Sequence, residues 1–378
     1  MKQIGSIQIL RAVAALMVVL AHAQDDASHE ALKAGVSFTR THLLPWVTGV
    51  DLFFVISGFI MVHASARLFA APGGSSTFLT RRVIRIVPLY WGVTSITLVL
   101  LMLLARPGHD ALPSLSEVLT SFGFIPYGRA EDGVPRPVVS LGWTLNYEMF
   151  FYVVFAAFLW LRREAAVGGV AAALVLMVAL GAVWRPGAIA LAYWSDPIVL
   201  EFALGMGLAL AWAHGVRLNR GPAAALMAAA LLLLAFDLDG MRDVPAFGVD
   251  PNGFGRLLAC GLPMAALLGA TVLSRPALPS RGHGLAVVAL LGDASYALYL
   301  FHPLVIIATR KVYLAADLLP ALGVWPLVLA ELVLASAAAV AIHLVVEKPV
   351  TAALQARFAF KTASGRSAPG EAPLVSSR

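Results

Sequence analysis

The chain has 378 residues, of which 60% are hydrophobic and only 13% charged, with a mean hydropathy of +0.84. A water-soluble fold of that length has no room for so much apolar surface, so the composition excludes a soluble globular protein and predicts an all-α, polytopic integral membrane protein. The net charge of +6 fits basic loops facing anionic membrane lipid, and the sequence carries no basic-aromatic groove of the kind that binds nucleic acid.

Apolar runs of spanning length lie near residues 5–23, 46–66, 84–105, 141–161, 166–184, 189–213, 222–237, 254–273, 285–309 and 323–346. They predict about ten transmembrane helices, the first a retained helix and not a cleaved signal peptide, because more spans follow it. With the N-terminus inside, sixteen basic residues fall on that side and ten on the other, so the positive-inside rule predicts both termini in the cytoplasm. This arrangement assigns Asp25, Asp26, Glu30, Arg256 and Arg310 to outer segments. The interval 106–140, rich in Pro, Gly and charge, is expected to form an outer loop. Residues 1–350 are expected to form one membrane domain, and the small, polar stretch 351–378 a disordered cytoplasmic tail.

The first run, SIQILRAVAALMVVLAHA, holds Arg11 and His22 at membrane depth, where an ionisable side chain is costly and marks function. Their spacing returns them to within roughly 20° of one helix face, about 16 Å apart along the axis. They share a face without touching, which suggests two tasks at two depths of one site. The competing reading is a snorkelling arginine and an interfacial histidine, both merely tolerated. In the second run, GVDLFFVISGF (49–59), Asp51 either caps free N–H groups of the helix start or meets a substrate. Ser57 and Gly58 form a small pair that admits close approach of a helix or a ligand.

Before the third run stands RRVIR, with Arg81, Arg82 and Arg85 at spacings that group them on a helix. Forked guanidinium groups suit a multiply charged phosphate, although an ordinary cytoplasmic anchor has the same appearance. The run GWTLNYEMFFY (142–152) places Glu148 among aromatic residues, with Trp143 and Asn146 beside it. A carboxylate there must be neutral, paired or facing a wet cavity. It can orient a histidine, pair with an arginine, bind a substrate hydroxyl, or belong to a structural ion pair. Later polar residues, among them Glu201, Asp293, Ser295, Tyr296, Tyr299, His302, Glu331 and His343 with Glu347, read chiefly as helix-packing groups. The single cysteine, Cys260, lies in an apolar run and reads as packing. No histidine pattern supports a metal site. Val55 breaks the nucleophile elbow around Ser57.

Taken in order, R-x10-H from Arg11 to His22, GVDLFFVISGF, RRVIR, GWTLNYEMFFY, LGDASYALYLFHPLV and the terminal VEKP resemble the acyltransferase 3 family of bacterial membrane O-acyltransferases. The wording of the first, second and fourth is most similar to the exopolysaccharide O-acetyltransferase branch. The resemblance implies a ten-helix enzyme of the bacterial inner membrane with no permanently bound cofactor. It takes an acetyl or other short acyl group from acetyl-CoA or another acyl-CoA. Its acceptor is a hydroxyl of a cell-surface polysaccharide or its lipid-linked precursor. Arg11 and His22 match the family's required pair, Arg81, Arg82 and Arg85 the arginines that meet the coenzyme, and Glu148 the glutamate of W-x-L-x-x-E. No fused esterase-like domain is expected.

Chemistry adds the expected roles. A sugar hydroxyl needs a base, for which the imidazole of His22 is suited, while Arg11 aligns the donor and Glu148 orients either the imidazole or the acceptor. A polar passage is expected to join the arginines to His22, with Glu148 on its lining. A transporter or flippase would also have ten spans, but would more often show an internal repeat or paired broken helices, and the sequence shows neither.

Overall fold

Helix α1 (Gly5–Ala34) runs well beyond the apolar stretch that announces it. Asp25, Asp26 and Glu30 end the hydropathy signal yet remain in the helix and are buried, which corrects their assignment to an outer loop. Arginines from distant segments hold them there: Arg40 reaches Asp25 at 2.7 Å, and Arg310 reaches Asp26 at 2.5 Å and Glu30 at 3.6 Å. Helical hydrogen bonding persists because an apolar setting leaves the backbone no other partner, while paired charges remove the penalty of the acids.

The computed structural model describes residues 5–104, 112–128, 136–242, 244, 253–275 and 283–358. Outside these lie Lys2, Arg106, Arg129, Glu131, Asp132, Asp243, Asp250 and Arg281, together with the expected tail from residue 359 onward. After α1, a 3-10 turn at Trp46–Thr48 leads into α2 (Gly49–Ala64), followed by α3 (Gly74–Leu104) and a short α4 (Leu115–Phe122) within the expected outer loop. Ser114 and Glu117 close a reciprocal capping box at the start of α4. Next come α5 (Gly142–Phe158), α6 (Arg163–Trp184), α7 (Ile189–Trp194), α8 (Leu200–Ala213), α9 (Arg220–Phe236) and α10 (Gly253–Arg256). The last group is α11 (Leu262–Val272), α12 (His283–Asp293), α13 (Ser295–Ala315), α14 (Leu318–Leu322), α15 (Trp325–Ile342) and α16 (Lys348–Arg357). Single π turns join α10 to α11 at Leu257–Gly261 and α15 to α16 at His343–Glu347. The described residues contain no strand, only an isolated bridge between Leu218 and Ser274.

Every expected run contains helix, but among the described residues seven segments are long and apolar enough to cross a membrane by length and composition. Helices α5 and α9 stop at 17 residues each, so ten spans is not reached on that measure. The run 285–309, expected as one helix, is broken at Ala294 into α12 and α13. At the other end, α16 carries helix through Arg357, past the expected domain boundary at 350.

Helix α2 lies at the centre, against α1 on one side and α8 on the other. Two glycines permit the second contact. A Cβ at Gly58 would fall 2.1 Å from the Phe202 carbonyl oxygen, and one at Gly205 would fall 1.9 Å from that of Val55. Lipid supplies no hydrophobic drive between helices, so such backbone approach and the stacked rings beside it provide the packing. Phe151 stacks on Phe202 at 4.3 Å and Phe54 leans on Phe202 at 4.7 Å. Elsewhere α3 packs on α5, α13 on α15, and α1 on α12, α13 and α15.

Candidate active site

Five helices, α1, α2, α3, α5 and α13, line a partly open cavity of about 340 Å³. That is the lower end of the range for small-ligand sites, roughly 300–1,000 Å³. Its wall on the α2 side is largely apolar, through Val50, Phe53, Phe54, Ile56, Ile60 and Met61, with Ser57 and His63 as the polar groups there. Its polar groups are concentrated on the other helices. Arg11 comes from α1, Arg82 and Arg85 from α3, Thr144, Glu148 and Tyr152 from α5, and Ser295, Tyr296 and Tyr299 from α13.

Helical periodicity accounts for this sorting. On α5, residues 144, 148 and 152 recur every four positions and so share one face, whereas Trp143 and Asn146 point elsewhere. The break at Ala294 likewise starts α13 with Ser295 and Tyr296 on the cavity and brings Tyr299 there one turn later.

Glu148 is held by its neighbours. Ser57 donates to its Oε1 at 2.9 Å, and the Tyr152 hydroxyl donates to the same oxygen. Arg82 lies over the Phe78 ring at 5.6 Å, beside Tyr152 and Glu148. Arg11 is 9% exposed, donates to Gln8 at 3.2 Å, and feels most strongly the charges of Arg85, Asp293, Glu347 and Glu148. The lining therefore presents three guanidinium groups against one carboxylate, an excess of positive charge next to an apolar wall. Such a surface suits a ligand with anionic and apolar portions.

His22 does not line this cavity. Its ring stands at 4.9 Å from that of His302, and His302 is 6.3 Å from Tyr299, which does line it. Between His22 and the cavity stand the rings of His302 and Tyr299, so the cavity as lined does not extend to His22. Nor does Glu148 set the imidazole's tautomer. The Val18 carbonyl, 2.8 Å from His22 Nδ1, accepts its hydrogen and leaves Nε2 as the basic nitrogen.

Among the other expected site residues, Ser57, Arg82 and Arg85 reach the cavity, while Arg81 is exposed and does not. Asp51 is fully buried and bound by both oxygens to Arg256, at 2.9 Å each. Arg256 is accordingly a buried partner and not an outer-loop charge. It also lies 5.9 Å from the Trp143 ring, whose residue accepts at its carbonyl from the Tyr193 hydroxyl at 2.9 Å. Asn146 is 1% exposed, and neither its amide nitrogen nor its oxygen has a hydrogen-bond partner among the described residues. Asp51, Trp143 and Asn146 are therefore away from the cavity lining.

Sequence reasoning passed over Tyr152 and ranked Tyr296, Tyr299, Ser295 and His302 as packing. For Tyr152 a signal existed, the i, i+4 spacing from Glu148. No group of three or more His, Cys, Asp or Glu placed to hold a metal ion occurs among the described residues.

Comparison with known proteins identifies the family. Residues 4–345 match the acyltransferase 3 family, described as an acyltransferase domain. The chain is 33% identical to the exopolysaccharide production protein ExoZ of Rhizobium meliloti (strain 1021), over 90% of this chain and 99% of that protein. It is 30% identical to the acyltransferase MdmB of Streptomyces mycarofaciens, over 80% of this chain and 79% of that protein. No solved structure matches significantly. With the family's match running through all five helices that line the cavity, the chain belongs to the acyltransferase 3 family and is a multi-pass membrane O-acyltransferase.

Proposed function

We propose that this enzyme moves an acetyl or other short acyl group from an acyl-CoA to a hydroxyl of a cell-surface or exported polysaccharide, or of its lipid-linked precursor, across the bacterial cell membrane. The observation that carries the donor half is the lining of the cavity, with Arg11, Arg82 and Arg85 beside an apolar α2 wall. Coenzyme A has the matching composition, phosphates at one end and a flexible, less polar arm at the other. The glycan half rests on the likeness to ExoZ, named for exopolysaccharide production.

In this reading Arg82 and Arg85 grip phosphate, and Arg11 aligns the arm so that the thioester points toward His22. His22 Nε2 removes the proton of the acceptor hydroxyl as its oxygen attacks the thioester carbonyl. Glu148 keeps the arginine side of the cavity ordered through Ser57 and Tyr152. Direct transfer suffices, since the one cysteine, Cys260, is buried away from the cavity. Ten crossings follow if α5, α9 and residues 197–213 also span, because 17 residues rise about 26 Å and the lower bound for a span is about 17 residues. An even number puts both termini on one side, and the distribution of basic residues favours the cytoplasm as that side.

Transfer of labelled acetyl from acetyl-CoA, measured in vesicles holding the purified protein and the lipid-linked saccharides of a deletion strain, tests the whole reading. His22→Ala is expected to abolish transfer while the protein stays folded. Arg82→Gln with Arg85→Gln is expected to raise the donor KM at least about tenfold, with the acceptor KM little changed. Unchanged donor KM in the double variant, or full turnover by His22→Ala, would overturn the respective assignment.

A further inference from the structure

Between the cavity and His22 stands a second imidazole that none of the roles above uses. His302, on α13, is 1% exposed, and its ring meets that of His22 at 4.9 Å with the planes 66° apart. On its other side it is 6.3 Å from Tyr299, at the cavity wall. Each histidine places Nδ1 against the carbonyl four residues back on its own helix, at 2.8 Å for Val18 and 3.0 Å for Leu298. A carbonyl only accepts, so both Nδ1 atoms carry hydrogen and both rings keep a basic Nε2.

Packing alone does not explain His302. A buried acceptor with no donor is costly, and His302 Nε2 has no hydrogen-bond partner among the described residues. A phenylalanine would fill the same space without that cost. Two buried imidazoles in ring contact repel each other when both are charged, so at most one of them carries the extra proton at a time.

We infer that His302 is a second catalytic residue that works with His22, passing the proton that His22 removes from the acceptor hydroxyl on to the sulfur that leaves. The inference rests on the thioester donor of the preceding reading. As the C–O bond forms, the acceptor O–H bond breaks and its proton passes to His22 Nε2. The C–S bond then breaks, with its electron pair staying on sulfur. His302 Nε2 takes the proton from His22 and gives it to that thiolate, directly or through one water, leaving both rings neutral. One proton leaves oxygen and one arrives at sulfur, so no further reactant is needed.

Two donors separate this role from a structural one. Acetyl-CoA releases an alkyl thiolate that needs the proton, whereas S-phenyl thioacetate releases an aryl thiolate that departs without it. The acceptor in both cases is the lipid-linked saccharide fraction of a deletion strain, and the full-length protein is assayed in vesicles. His302→Phe, which keeps a ring but no nitrogen, is expected to lower kcat with acetyl-CoA by roughly 100-fold or more while leaving its KM unchanged. With S-phenyl thioacetate the same variant should work nearly as well as the wild type. His302→Gln, whose amide cannot carry the proton, should give the same pattern and serves if the phenylalanine variant does not fold. Equal losses on both donors, or no loss on either, would overturn the inference. A wild-type protein that ignores acetyl-CoA would instead overturn the donor reading, and His22→Ala that retains turnover would overturn the base.

Discussion

Asp51 and Arg256 lie 205 positions apart, yet their side chains are 0% and 6% exposed and joined by two hydrogen bonds of 2.9 Å. Removing one partner strands the other charge in the bundle, so Asp51→Ala is expected to cost about 3–5 kcal/mol. Replacing both with apolar residues of similar size, Asp51→Leu with Arg256→Met, is expected to recover most of that loss. Thermal unfolding in detergent checks both values, and a single variant as stable as the wild type would show the pair to be inessential. Read locally, Asp51 at the start of an apolar helix resembles a cap or a substrate contact. Its actual partner was hidden because Arg256 opens another run and looks like a loop charge. Glu148 shows the same limit of local reading: its place in the membrane is plain from the sequence, but its bond to Ser57 crosses 91 positions. Arg11 lines the cavity from α1. Arg11→Lys is expected to restore only part of the donor affinity lost in Arg11→Ala, because a point charge lacks the two-pronged fork. Donor KM measured for both variants decides this.

At the level of helices, the wall of the cavity depends on how closely α2 approaches α8. Gly205→Ala would set a methyl 1.9 Å from the Val55 carbonyl oxygen and 2.9 Å from the Phe59 nitrogen, and neither backbone atom can rotate away. The two helices must separate, and overpacking of this kind costs about 1–3 kcal/mol. Ser57 lies on the α2 segment that would move, so donor affinity should fall together with thermal stability. Gly207→Ala, on the same helix with nothing within 4 Å of the added carbon, is the control expected to change neither. If the two variants behave alike, the close approach is not what shapes the cavity. The small pair at Ser57 and Gly58 pointed to such packing in the sequence. The end of α1 and the break at Ala294 did not appear there. Hydropathy falls at Asp25 although burial continues, and it stays high across 285–309 although the helix is interrupted. Periodicity and hydropathy report what a segment prefers, while ion pairs and turns made with other segments decide where it stops.

Across the whole molecule, polarity is arranged along α1 in a sequence that has a direction. Arg11 lies toward its start with Arg82 and Arg85 around the cavity, His22 follows about 16 Å further along the axis, and the buried acids Asp25, Asp26 and Glu30 come last. Positive charge thus gathers at the end that would receive an anionic donor. Negative charge and the Arg310 pair occupy the opposite end, beyond the base. Such an axis predicts that donor is accepted from one side only, the side of the N-terminus, which the distribution of basic residues assigns to the cytoplasm. Sealed vesicles can test this when the protein is inserted in one orientation, established by protease access to a tag at residue 1. Acetyl-CoA, which does not cross the bilayer, is added to the outer solution of vesicles with the N-terminus facing outward, and separately to vesicles with it facing inward. Coenzyme A release is expected only in the first preparation, and detergent should restore it in the second. Ile60→Trp, which pushes an indole into the cavity from α2, should suppress release in the first preparation without altering tag accessibility. Equal release from both orientations before detergent would mean that the donor reaches the thioester position by another route, and would remove the arginine-lined cavity from that role.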